Sequence, residues 1–208
     1  MHAPAVLPRR AMLPLLAAAL LAACAETPPA ATYRPLTFEY LTKLRLDVAT
    51  VDVDNGWTPG PVAEGGAHVE GQAPEAPVDA LRRMAQDRLL SGGSSGHATF
   101  VIDDASLSRI NDRFQADFAV HLDISSGDGT RTGYAEARIS RTRTISDYTP
   151  EGTRRELYDL EKAAMDDMNV EFEYQVRRSL KDWLQPTSPA APPPPPVEQQ
   201  DLGTPPKP

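Results

Sequence analysis

The chain has a single cysteine, Cys24, in 208 residues. That excludes an internal disulfide framework and any zinc site built from cysteines. Aromatic residues make up only 6%, so stacking platforms for bases or sugars are sparse. The four histidines are His2, His68, His97 and His121. They form no H-x-H or H-E-x-x-H pattern, and neither a metal nor a cofactor is expected. Basic side chains are outnumbered, 21 Lys+Arg against 29 Asp+Glu, for a net charge of −8. Phosphate binding wants a basic footprint, so nucleic acid is excluded as the main partner. No stretch after the N-terminal segment approaches the ~18 apolar residues of a membrane-spanning helix. Proline, by contrast, is abundant: ten of the 21 fall in the last 23 residues.

The N-terminus has the order of an address. Arg9-Arg10 close a short basic region, and Ala11 to Ala23 run apolar for 13 residues. That length suits a signal-peptide core and falls short of the ~20 residues that span a bilayer. The run ends Leu21-Ala22-Ala23-Cys24, which resembles the lipobox of bacterial lipoproteins. The resemblance implies cleavage before Cys24 and palmitate-type acylation of that residue. Several acyl chains on one residue give stable anchoring where one is marginal. Position 25 is alanine, without the aspartate that retains some lipoproteins at the inner membrane. The periplasmic side of the outer membrane is therefore the expected location, with inner-membrane anchoring left open. General secretion is favoured over twin-arginine export, because the Arg9-Arg10 pair lacks the usual flanking residues.

After Cys24 the chain divides into a tether over 24–35, a domain over 36–184 and a disordered Pro-rich tail over 185–208. In the domain, Leu44 to Val53 alternates and changes phase near Ala49-Thr50, which predicts one strand with a bulge. Residues 55–77 hold five glycines and four prolines without periodicity and read as a long loop carrying Trp57. Val78, Leu81, Ala85 and Leu89 predict a helix opened by Pro77 and closed by Gly92-Gly93. Strands follow at Ala98 to Leu107, Phe118 to Ile124 and Gly133 to Ser140. A helical stripe then runs from Leu157 to Trp183, starting at Thr149 or at Thr153. The order β-α-β-β-β-α predicts an α+β two-layer sandwich: a four-stranded, mainly antiparallel sheet with both helices on one face. Its outer face would carry His121, Asp123, Glu136 and Arg138.

Catalytic motifs occur only as chance matches. Gly92-Gly93-Ser94-Ser95-Gly96 fits G-x-S-x-G, but a nucleophile elbow needs a strand entering and a helix leaving, and here a helix enters and a strand leaves. Asp52-Val53-Asp54-Asn55-Gly56 begins like a calcium loop, yet the glycine comes one place early and the twelfth position is Ala63. Asp103-Asp104 and Asp166-Asp167 are neighbours whose side chains diverge, so neither forms a shared carboxylate site. No catalytic residue is assigned. The charge feature to weigh is Arg138-Ile139-Ser140-Arg141-Thr142-Arg143. Arg141 and Arg143 share a strand face and suit an anionic ligand, or serve as edge protection paired with Glu156 or Asp159. Trp57 is a second candidate contact.

The strand over Ala116 to Ile124, the Gly-Asp-Gly turn, Ile139-Ser-Arg-Thr-Arg, Glu156-Leu-Tyr and Met165-Asp-Asp-Met168 together resemble the ending of the lipopolysaccharide-assembly lipoprotein LptE. The element order is also similar to the auxiliary lipoproteins of envelope lipid-transport ABC systems. These resemblances imply a non-enzymatic accessory or scaffold that meets the membrane through Cys24 and has an envelope protein as partner. The runner-up is a module binding anionic lipid or lipopolysaccharide through Arg141 and Arg143, and a hydrolase is the third reading.

Overall fold

The computed structural model describes residues 31–186. The expected signal segment, Cys24, the expected tether up to 30 and the expected tail from 187 lie outside the described residues. Every secondary-structure element belongs to the unit Arg34–Pro208. In chain order these are β1 (Leu44–Leu46), β2 (Thr50–Asn55), β3 (Gly66–His68), a 3-10 turn (Glu70–Gln72), α1 (Pro77–Arg88), β4 (Leu89–Ser91), β5 (His97–Ile110), β6 (Arg113–Ser125), β7 (Thr132–Thr144), α2 (Pro150–Ser179) and a second 3-10 turn (Lys181–Trp183).

The fold is α+β, with seven strands among the described residues in place of the four predicted. The antiparallel meander β5-β6-β7 forms most of the larger sheet. Its order is β2-β5-β6-β7, with β2 parallel to the first half of β5 and β3 antiparallel to the end of β5. A separate parallel pair joins β1 to β4.

Three local predictions need correction. The expected single strand over 44–53 is two strands in two different sheets. The phase change was real but marks a change of sheet. Leu44, Leu46 and Val48 are buried, after which Ala49 N–H donates to the carbonyls of Ser95 (3.2 Å) and Gly96 (3.1 Å). The predicted loop 55–77 contains β3 and the 3-10 turn. It is pinned where Val69 N–H donates to Leu107 O (2.9 Å) and where Leu107 N–H donates to Glu70 Oε1 (2.9 Å). Trp57, read as a candidate contact on a long loop, is half-buried against the core. Finally, α1 stops at Arg88, and Leu89 pairs as a strand with Leu44. Leu89 is buried in either conformation, so apolar spacing alone could not separate them. The run Gly92 to Gly96 is therefore entered by a strand; since β5 follows it, the elbow geometry still does not arise.

The core lies between the larger sheet and the helices. Ala98, Phe100, Ile102, Phe118, Val120 and Leu122 face Leu157, Leu160, Ala164, Met168 and Phe172 of α2, with Leu81 and Met84 from α1. Phe100 and Phe172 meet edge to face, centroids 5.4 Å apart at 86°. Thr149 caps α2, its hydroxyl accepting from Gly152 N–H (3.0 Å). Under the end of α2, β7 presents Gly133, Ala135 and Ala137. A Cβ on Gly133 would stand 2.5 Å from Leu180 Cδ2 and 2.7 Å from Trp183 Nε1, so any side chain here would force Leu180 and Trp183 to shift.

Candidate functional site

The helices leave the other face of the larger sheet uncovered, and the polar side chains collect there. Along β6, Gln115, Asp117, His121 and Asp123 project outward. Opposite His121 and Asp123 stand Val101 and Thr99 on β5 and Glu136 and Tyr134 on β7, with Arg138 of β7 opposite Ala119. This is the outer face predicted from alternation, with residues added from β5.

The addition comes from a bulge. Pairing between β5 and β6 shifts register between Ile102 and Asp104. The inward residues run Ala98, Phe100, Ile102 before the shift and Ala105, Leu107 after it. Both Asp103 and Asp104 thus reach the open face, contrary to the expectation that they diverge. The slip from even to odd apolar positions was the sequence signal for this. Asp103 Oδ2 lies 2.7 Å from His121 Nδ1, and Asp123 Oδ2 lies 3.3 Å from His121 Nε2. Tyr134 lies beside the imidazole, centroids 5.5 Å apart and planes tilted 30°. Its hydroxyl donates to Glu136 Oε2 (3.2 Å), and Arg138 pairs with Glu136. Desolvation first, then the bond to Glu136, pushes the Tyr134 phenol above its ordinary value. The Arg138 hydrogen bond holds the Glu136 carboxyl below its ordinary value.

Two open grooves follow this face. One, of about 480 Å³, is lined by His97, Asp123, Ser125, Thr132 and Tyr134 among others. The second, of about 430 Å³, involves Asp104, Asp117, Arg138 and Ser140. Ser125 Oγ and His97 Nδ1 are 3.0 Å apart, but among the described residues no carboxylate is bonded to that imidazole to complete a triad. Nor do the described residues hold three His, Cys, Asp or Glu side chains placed to bind a metal. The face thus holds fixed donors and acceptors around an exposed aromatic ring.

Of the candidate contact residues, Arg141 and Arg143 lie together away from this face, and Trp57 lies apart from both. Arg141 and Arg143 end β7 on its helix-facing side, where Arg141 pairs with Asp167 and Arg143 with Asp159 (3.8 Å), both on α2. Arg131 stands over the Trp183 ring, 4.6 Å from its centroid. Trp57 follows β2, at the opposite edge of the sheet from β7. Glu156 is occupied elsewhere, accepting from Ser146 N–H (3.1 Å) and Asp147 N–H (3.1 Å).

No family model and no curated protein matches the chain. Among solved structures, the chain is similar to a Xanthomonas campestris protein assigned to the family DUF330. That match has a TM-score of 0.39 and 9% identity, and covers 73% of this chain and 95% of the other. It is also similar to a putative lipoprotein of Caulobacter crescentus, with a TM-score of 0.30 and 14% identity over 48% of this chain and 74% of that one.

Proposed function

We propose that this chain is a lipid-anchored envelope lipoprotein whose domain acts as a non-enzymatic accessory, holding an envelope protein through the open face of its sheet. The lipobox Leu21-Ala22-Ala23-Cys24 supports the anchor, which would place the domain at the periplasmic side of the outer membrane. The observation that carries the recognition role is the uneven cover of the sheet. Both helices pack on one face, while strands of 13 and 14 residues stay bare on the other. That bare face is grooved and carries Tyr134, 51% exposed beside the His121–Asp103 pair. Exposed aromatics among fixed polar groups are typical anchors of protein interfaces.

Photo-crosslinking in intact cells tests this. A photoreactive residue at Tyr134 should capture an envelope protein as a discrete adduct, whereas one at exposed Val170 on α2 should not. Equal capture at both sites, or none at Tyr134, would remove the sheet face from consideration. Anionic-lipid binding through Arg141 and Arg143 has their shared position in its favour. Each guanidinium, however, already has a carboxylate partner on α2, so a lipid headgroup would have to displace it.

A further inference from the structure

Glu161, on α2, has no exposed surface. Neither carboxyl oxygen has a hydrogen-bond partner among the described residues. A charged carboxyl buried without partners is among the costliest groups a core can hold, and an apolar side chain would avoid the cost. Its surroundings indicate what it could do there.

Residues 34–43 form a strap lying along the seam between α1 and α2. The strap belongs to no strand or helix; its Leu36 and Phe38 are buried in the core, and side chains of both helices hold its backbone. Tyr158, three residues before Glu161 on α2, donates its hydroxyl hydrogen to Arg34 O (2.8 Å). Leu36 N–H donates to Glu75 Oε2 (2.8 Å), and Arg83 Nη1 donates to Leu36 O (2.7 Å). Arg83 also pairs with Glu75. Further along, Phe38 N–H donates to Asp87 Oδ2 (2.7 Å), and Arg88 Nη2 to Thr42 O (3.2 Å). Lys162, next to Glu161, helps Pro35 to Phe38 enclose a cavity of about 200 Å³.

The charged groups facing Glu161 come from each neighbouring element. Glu75 precedes α1, while Asp79 and Arg83 lie on it. The 3-10 turn packed against α2 carries Glu70, already engaged by His68 and by Leu107 N–H. On α2 itself, Tyr158 and Lys162 flank it. Burial first, then the negative charge of Glu75, pushes the Glu161 carboxyl up to about 8, against the opposing pull of Arg83.

We propose that Glu161 is a proton-operated latch on the strap. Protonated, it stays buried on α2 and leaves Arg83 to hold Leu36 and Glu75. When its proton passes to water, the carboxylate draws Arg83 away from Leu36 and the strap leaves the seam. In a chain anchored at Cys24, a consequence resting on the lipoprotein reading above, freeing the stretch from Leu36 to Leu44 would lengthen the reach from the membrane by roughly 27 Å at full extension. The latch itself does not depend on the anchor.

The sign follows from linkage. The closed strap keeps a proton that the opened strap gives up, so closure is complete at acid pH and is lost as pH rises toward about 8.

Hydrogen exchange of the Leu36 and Phe38 amides in the full chain, corrected for intrinsic base catalysis, provides the test. The opening constant should rise by up to about tenfold per pH unit between about pH 5 and 8 and then level off. Amides in the middle of α2 should keep their protection throughout. Glu161→Gln should flatten the profile, and Glu161→Met, which removes the carboxyl without adding buried donors, should do the same. A flat wild-type profile, an unchanged rise in both variants, or loss of α2 protection in step with the strap would each overturn the latch. Membrane release of Cys24 variants reports on the anchor separately, so the two readings fail independently.

Discussion

Phe172→Ala tests whether α2 and the sheet form one core. Phe172 is fully buried in the C-terminal half of α2, with its ring edge to face against Phe100 of β5. Truncation removes the transfer free energy of the ring and leaves a cavity between helix and sheet, for a typical cost of ~3–5 kcal/mol. Of that, ~0.5–1.5 kcal/mol belongs to the aromatic pair itself. Native domains have total stabilities of ~5–15 kcal/mol, so the variant should be marginal at room temperature. Urea denaturation followed by circular dichroism measures this directly, with Val170→Ala as the control. Val170 lies two residues away but is 73% exposed, and its truncation should stay within ~0.5 kcal/mol. Phe100→Leu combined with Phe172→Ala should show a coupling of ~0.5–3 kcal/mol, as contacting residues do. A Phe172→Ala cost under ~1 kcal/mol with an unchanged denaturant slope would mean that this interface is not the core.

Trp57→Ala should cost ~1–2 kcal/mol in the same assay, because a half-buried ring packed on the core forfeits part of its transfer energy. A cost near zero would return Trp57 to the role of a free surface contact. Cys24→Ala should move the protein from the membrane to the soluble periplasmic fraction, since no described helix is long and apolar enough to cross a bilayer. Retention of that variant after a salt wash would defeat the lipoprotein reading.

The sequence by itself determined the fold class, the two helices and the meander strands. These are long segments with strong periodicity, and burying one face of each leaves few arrangements. What tertiary structure decided were the features made by short or irregular contacts. β1 and β4 are three residues each and exist because they pair with one another across 45 positions of chain, which no local pattern encodes. β3 is a strand only because the end of β5 offers it an edge. Asp103 and Asp104 share the open face through one bulge, so strict alternation assigned them to opposite sides. Glu161 showed no sign of its role in sequence: within the stripe of α2 it reads as one more charged residue. Only its burial in the folded domain removes the water that a carboxylate needs.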